Sequence, residues 1–317
     1  MKLLFMKTHI LIADEMHPSL FLMLEKAGFI YDYEPTIQRA ELLRTIGTYE
    51  GLIIRSKSFL DEEFFDKATK LRFIARAGAG LDLIDLKIAK EHQVKVFAAN
   101  EGNRDAVGEH CVGMLLCLLN KIHTADAEVR KSIWRREENR GVELMGKTVG
   151  LIGYGNTGTA FAQRLSGFGV NVLAYDKYRT NYSDAHAKEA NMDTIFKETD
   201  ILSFHVPLTD ETHGLVNDEF LNQFRKKIYL LNTSRGEVVV LSDLVDSLRN
   251  GNVRGACLDV LENEKLHKLS TDKQDIFNEL VQFPNVVLTP HIAGWTEESY
   301  LKINEVLVEK IVEFVGI

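Results

Sequence analysis

The stretch that most constrains this chain is Gly153-Tyr154-Gly155-Asn156-Thr157-Gly158, set between an apolar run and a helix-like run. The residues before it, 148–152, read as a buried strand, and 157–166 read as a helix. A strand that turns on glycines straight into a helix belongs to a parallel sheet whose faces carry helices. Gly153 permits the tight turn, Gly155 lets backbone approach a pyrophosphate, and Gly158 lets the helix pack close to the strand. Backbone N–H groups and the helix dipole would then face the anion, with Tyr154, Asn156 and Thr157 at its edge. A glycine-rich packing turn without a ligand is the alternative. The next strand candidate, 171–175, leads into Asp176, whose carboxylate is placed to accept hydrogen bonds from adenosine ribose hydroxyls. A carboxylate there repels a 2′-phosphate, so the expected cofactor is NAD; Lys177 and Arg179 nearby keep NADP open.

The same alternation of short apolar runs and helical patterns fills the chain. After 148, strands are expected at 148–152, 171–175, 201–204, 228–231, 255–258 and 286–288, with helices near 157–166, 192–197, 218–224 and 243–249. Before it, strands are expected at 9–13, 52–54, 73–75 and 94–96, with 29–33 a weaker candidate. Helices are expected from Pro18 to the stop at Gly28, at 61–68 and at 84–90. The fold class is therefore α/β, with two doubly wound parallel-sheet domains. An apolar helical segment at 106–120 and a charged stretch at 126–140 lie between the two runs. With five prolines and no low-complexity linker, the domains are expected to be joined by helices. A final helix at 297–314, with Ile303, Val306, Leu307 and Ile311 near one face, is a candidate to return to the first domain.

Composition excludes several classes. The 38 basic and 46 acidic side chains leave a formal charge of −8, which argues against broad affinity for nucleic acid or anionic lipid. Cys111, Cys117 and Cys257 form neither a disulfide framework nor a metal-ligand spacing, which fits a cytoplasmic protein. The longest apolar run, 111–119, is far shorter than the roughly 20 residues that cross a bilayer. The N-terminal run 2–12 is interrupted by charged and polar residues, and no small-residue cleavage site follows it. The histidines show no zinc spacing, so no metal is expected; His110 and Cys111, on an apolar helical stretch, read as packing residues.

Three late segments each fall near a strand end, where open sheets line their ligand crevice: 232–236, Asp259 with Glu264, and 289–294. Arg235 offers a planar fork for a carboxylate and a donor for a neighbouring carbonyl. His291 can take and return the proton of a hydroxyl beside that carboxylate, and Glu264 can hold its imidazole. Such a set suits a 2-hydroxy acid, with NAD accepting hydride. The plain alternatives are a surface ion pair for Arg235, a solvated face for the run Glu262-Asn263-Glu264-Lys265, and a structural histidine after Pro290.

These pieces, with Arg76-Ala77-Gly78-Ala79-Gly80-Leu81-Asp82, Ser203-Phe204-His205-Val206-Pro207-Leu208-Thr209 and Leu258-Asp259-Val260, make the sequence similar to the D-isomer-specific 2-hydroxyacid dehydrogenases over nearly its whole length. It resembles especially the short phosphoglycerate dehydrogenase-like members. The resemblance implies an NAD-binding Rossmann-like domain inserted into a flavodoxin-like substrate domain, at 1–99, 100–284 and 285–317. It implies Arg235 as the substrate arginine, His291 as the acid–base group and Glu264 as its partner. Asp259 would orient the nicotinamide carboxamide, with His205, Val206, Pro207, Thr233, Ser234, His291 and Gly294 also near the cofactor. Arg55, Arg76, Ala77, Gly78 and Asn103 would belong to substrate loops, and Trp134 matches a position near the subunit interface of a homodimer. Two departures stand out: Lys265 replaces the usual proline after the glutamate, and 266–274 is longer and more polar than the common form. After Gly236, Ser242 is a candidate helix cap.

The implied reaction is reversible oxidation of 3-phosphoglycerate to 3-phosphohydroxypyruvate, in serine biosynthesis, as the domains close over the substrate. Lys57, Arg104, Arg135 and Arg136 are candidate phosphate contacts, each with an ordinary surface charge as its alternative. A glyoxylate or hydroxypyruvate reductase acting on an unphosphorylated acid is the enzymatic alternative. An NAD-sensing corepressor-like interaction protein is the nonenzymatic one. After the last helix no regulatory domain is expected, and so no serine feedback through one.

Overall fold

The computed structural model describes residues 8–317; the beginning of the 2–12 run lies outside the described residues. The chain opens with β1 (His9–Ile12), α1 (Ser19–Lys26), β2 (Ile30–Tyr33), α2 (Arg39–Thr45), β3 (Gly51–Ile54), α3 (Glu62–Lys67), β4 (Phe73–Arg76), α4 (Leu86–Glu91) and β5 (Lys95–Ala98). A long helix α5 (Asn100–Leu119) and a short α6 (Ile122–Val129) follow. Then come β6 (Thr148–Ile152), α7 (Asn156–Leu165), β7 (Asn171–Tyr175), β8 (Lys188–Glu189), α8 (Met192–Glu198), β9 (Ile201–Phe204) and α9 (Asp218–Leu221). The remainder is β10 (Ile228–Asn232), α10 (Leu241–Asn250), β11 (Val253–Leu258), α11 (Thr271–Leu280), β12 (Val286–Leu288) and α12 (Glu297–Val315).

Two compact units result: the described residues up to Asn103 together with Trp295–Ile317, and Arg104–Gly294. Both divisions fall later than the expected 99/100 and 284/285, for physical reasons. The first turn of α5 belongs to the first unit, where Gly102 lies so close to Ile303 that an added Cβ would sit 2.7 Å from its backbone. At the other division, β12 pairs with β11 through Ala256↔Val286, Cys257↔Val287 and Leu258↔Leu288, which keeps 286–294 with the second sheet.

The first unit is a five-stranded parallel sheet in the order β2-β1-β3-β4-β5. Leu11, Leu52, Ile54 and Ile74 face one layer, with α2, α3 and α4. Ile10, Ile12, Ile53, Phe73 and Ala75 face the other, where α1 and the returning α12 pack through Leu20, Leu24, Ile303, Leu307 and Ile311. Burial of each of these aliphatic side chains is worth about 1.5–3 kcal/mol, which fixes α12 on this sheet. Thr296 starts α12 with a reciprocal capping box to Ser299, and Gly316 ends it.

The second unit is a seven-stranded parallel sheet in the order β12-β11-β10-β9-β6-β7-β8. Alternate residues of β10 show its two-sided burial: Tyr229 and Leu231 face α5 and α7, while Ile228 and Leu230 face α8, α9 and α10. Strand order reverses between β6 and β9 here and between β1 and β3 in the first sheet, the places where doubly wound sheets open a crevice. The additional strand β8 gives seven strands where six are expected, and α2 and α11 are helices the apolar pattern does not announce. The charged stretch at 126–140 is helical only as far as Val129. The cap proposed for Ser242 is not one: α10 begins at Leu241 behind Val240, and the Ser242 hydroxyl donates to Asp243 at 3.0 Å.

Candidate active site

In the second unit the glycine turn leaves the end of β6 at the switch point. Gly153 has φ +93°, and a Cβ there would meet the His205 carbonyl oxygen at 2.4 Å; one on Gly158 would meet the Gly153 carbonyl oxygen at 2.4 Å. Glycine is required at both. By contrast, nothing lies within 4 Å of the Cβ position of Gly155, and no side chain caps the helix that begins at Asn156 and Thr157. An open, uncapped helix N-terminus behind a glycine turn fits the pyrophosphate of a dinucleotide. Asp176 ties the turn to β7, accepting from the backbone N–H of Tyr154 at 2.9 Å and of Tyr178 at 3.0 Å. Arg179 donates to the Tyr154 carbonyl, and Lys177 pairs with Glu211 at 2.7 Å.

Two of the expected cofactor residues offer less than the sequence suggests. The Tyr154 ring packs into the core and its hydroxyl donates to Asp184 at 2.9 Å. Burial, with that carboxylate beside it, raises the phenol's pKa. The His205 ring is buried against Phe161, with Nε2 2.9 Å from Ser203 Oγ and Nδ1 without a partner. Burial lowers its pKa to about 4, so it is neutral at ordinary pH. Its backbone, rather than the ring, borders the turn. Val206 contributes its side chain beside Gly153, and the Pro207 carbonyl accepts from Thr212 at 2.6 Å.

The residues expected to carry the chemistry sit on loops at the ends of β10, β11 and β12. Asn232 shapes the first loop: its amide donates to the Arg235 carbonyl at 2.8 Å, and its oxygen accepts from the Ser234 N–H and hydroxyl. Thr233 Oγ1 lies 3.3 Å from Cys111 Sγ. The Arg235 Nη1 donates to the Ser234 carbonyl at 2.6 Å. Glu264 Oε1 stands 2.8 Å from His291 Nδ1, both side chains half-exposed. A carboxylate there selects the Nδ1–H tautomer and leaves Nε2 with its lone pair to accept a proton. Despite Lys265, the glutamate meets the histidine, and it does so on a face that solvent still reaches. Asp259 does not present free oxygens: its buried carboxylate accepts from the N–H groups of Ile292 at 2.9 Å and Ala293 at 2.8 Å. Gly294 is the last residue of this unit.

In the first unit, Asp14 at the end of β1 gathers the backbone N–H groups of Arg55, Ser56 and Lys57 at 2.6, 3.1 and 3.4 Å. The Arg55 guanidinium stacks over Trp295 at 4.2 Å and faces Tyr300 at 5.2 Å. Arg76 folds over Gly78, where a Cβ would lie 1.7 Å from its Nη1. Ala77 is buried, and the side-chain oxygen of Asn103 is buried without a hydrogen-bond partner. Lys57 donates to the Pro35 carbonyl and Arg135 to Glu128, so neither ammonium nor guanidinium stands unengaged as the phosphate assignment supposes. Trp134, which the resemblance matches to a position near a subunit interface, is 83% exposed and does not pack within this chain. Asp14, Trp295 and Tyr300 are missed by sequence reasoning; only the place of Asp14, directly after a strand, marks it beforehand. Among the described residues no three metal-ligating side chains converge, and no helix is long and apolar enough to cross a membrane.

Comparison with known proteins adds three findings. Residues 112–293 match the model of the D-isomer specific 2-hydroxyacid dehydrogenase NAD binding domain. A D-3-phosphoglycerate dehydrogenase of Archaeoglobus fulgidus is 33% identical over 96% of this chain and 56% of its own length, and a hydroxypyruvate reductase of Thermotoga maritima is 35% identical over 89% and 90%. The chain thus spans about half the length of the phosphoglycerate dehydrogenase relative. Among solved structures, D-lactate dehydrogenase from Aquifex aeolicus complexed with NAD and lactic acid superposes with a TM-score of 0.81 at 27% identity, over 98% of this chain and 96% of that one.

Proposed function

Because the chain belongs to the D-isomer specific 2-hydroxyacid dehydrogenases, we propose that it is an NAD-dependent oxidoreductase acting on a D-2-hydroxy acid. The acid we propose is 3-phosphoglycerate, oxidised to 3-phosphohydroxypyruvate in serine biosynthesis. The observation that carries the reading is the 2.8 Å approach of Glu264 to His291 Nδ1, on loops that share strand ends with Arg235. The residues that would hold NAD are the open turn Gly153 to Gly158 and Asp176. When bound, NAD supplies the hydride acceptor. Arg235 binds the substrate carboxylate and leans on the carbonyl that forms. His291 takes the hydroxyl proton at Nε2, and Glu264 stabilises the imidazolium from the Nδ1 side. In the reverse direction His291 returns that proton.

Hydroxypyruvate or glyoxylate reduction is the second reading, favoured by the engagement of Lys57 and Arg135 elsewhere and by the match over 90% of the length of a hydroxypyruvate reductase. Purified protein assayed by NADH absorbance against 3-phosphoglycerate, glycerate, lactate, glyoxylate and hydroxypyruvate separates the two. Turnover of phosphoglycerate supports the first, and turnover restricted to unphosphorylated acids replaces it with the second. NAD binding without turnover of any acid points instead to a corepressor-like sensor. We further propose a homodimer, supported by the exposed Trp134, and a reducing cytoplasmic setting, supported by three free cysteines. A concentration-independent monomer in light scattering removes the dimer.

A further inference from the structure

One face of α5 reaches toward each of the three catalytic strand ends. Cys111 Sγ lies 3.3 Å from Thr233 Oγ1, the Met114 carbonyl accepts from Cys257 at 3.4 Å, and His110 Nε2 lies 3.0 Å from Thr289 Oγ1. The last contact has a direction. Thr289 Oγ1 is 2.5 Å from Asp259 Oδ1 and holds a single proton, which goes to the carboxylate. Its oxygen is then the acceptor for His110, so Nε2 of His110 carries a hydrogen. The chain of donation runs from His110 to Thr289 to Asp259.

Asp259 is the anchor of the loop that bears His291. Oδ1 accepts from Thr289 and from the Ile292 N–H, Oδ2 accepts from the Ala293 N–H, and the backbone carbonyl of Asp259 accepts from the His291 N–H at 2.7 Å. His291 itself sits at φ +56°, a left-handed conformation that a non-glycine side chain keeps only when its neighbours over-determine it. The four donations to one buried residue supply that determination, and the conformation they fix is the one in which Nδ1 meets Glu264.

We infer that His110 and Thr289 are positioning residues: their relay onto Asp259 holds the His291 loop, and through it the imidazole, in the conformation that exchanges the proton. This rests on the proposed role of His291, but its first test does not need turnover. Nitrogen NMR of His291 in the full chain without substrate reads the tautomer. Kinetics then read kcat and the KM for NADH, and melting temperature is followed alongside. The variants are Thr289→Val and His110→Leu, which end the relay, and Thr289→Ser and His110→Gln, which keep a donor.

The Nδ1–H tautomer is expected to give way to a mixture in Thr289→Val and His110→Leu. Their kcat is expected to fall roughly ten- to a hundredfold, the range covered by one lost hydrogen bond to a charged group, with KM for NADH within about twofold. Thr289→Ser and His110→Gln regain most of both signals. A His110→Leu protein with the parent tautomer and kcat overturns the relay. So does a loss in Thr289→Val that lowers NADH affinity and kcat in parallel and is not regained in Thr289→Ser. Should the tautomer respond as expected while even the parent turns over no acid, the relay stands and the reading of His291 as the acid–base group fails.

Discussion

Gly236→Ala tests how the Arg235 loop and the Glu264 loop depend on one another. A Cβ on Gly236 would lie 1.9 Å from the carbonyl carbon and oxygen of Leu261 and 2.5 Å from the Glu262 nitrogen. These are backbone atoms and cannot rotate away. Ordinary contact begins near 3.4 Å, so one segment must move by about 1.5 Å, and each carries one of the proposed site residues, Arg235 or Glu264, within a few positions. A misplacement of about 1 Å is enough to lower a rate about a hundredfold, and forcing a methyl into packed backbone costs about 1–3 kcal/mol of stability. We predict a folded protein whose melting temperature falls by several degrees, whose kcat falls about a hundredfold or more, and whose NADH affinity changes less than about threefold, since the turn at Gly153 is untouched. Steady-state NADH oxidation with 3-phosphohydroxypyruvate and hydroxypyruvate measures the rate, and NADH fluorescence titration measures affinity. Gly167→Ala, where a Cβ meets nothing, is the matched control. Folded Gly236→Ala with kcat within threefold of the parent refutes the coupling of the two loops.

Three further outcomes are expected. Asp176→Ala loses the carboxylate that closes the turn and disfavours a 2′-phosphate, so NADH affinity should fall about tenfold while NADPH loses less; unchanged discrimination in titration contradicts this. His205 is neutral when folded down to about pH 4 but protonates near 6.5 when unfolded. Its contribution is therefore absent above pH 6.5 and increasingly destabilising as pH falls toward 4, reaching about 3 kcal/mol. Urea denaturation should show that slope in the parent and a shallower one in His205→Gln. Burial pushes the Cys111 thiol to about 12 and Cys257 well above its usual value. Native protein should therefore react with a thiol reagent only at Cys117, with the other two appearing on denaturation; native modification of Cys111 contradicts the buried placement.

The legible parts of the fold are those whose burial follows a period. Strands such as β6 and β10 are apolar on both faces and flanked by turn residues, so their sequence and their structure agree closely. α2 and α11 bury one leucine each, Leu42 and Leu280, and carry no apolar stripe to read; β8 is two exposed residues recruited by its neighbour β7. Arg235 and His291 are legible because strand ends place them. The stacking of Arg55 on Trp295 and the donations into Asp259 join residues far apart in the chain, and no local pattern encodes such contacts. His110 reads as packing because its helix is apolar, and only the neighbouring strand ends reveal its hydrogen bond. For His205 the resemblance implies a place near the cofactor, and the folded chain buries its ring.

Arg235, Glu264 and His291 are proposed to serve hydride transfer to and from C2 of a D-2-hydroxy acid. The most direct measurement reduces 3-phosphohydroxypyruvate, and in parallel hydroxypyruvate, with NADH deuterated at the transferable position of C4. Chiral separation and mass spectrometry then read the product. Deuterium is expected at C2 of the D acid, formed by the parent and reduced at least about a hundredfold in His291→Asn. An L or racemic product, a D acid without the label, or an undiminished rate in His291→Asn contradicts it.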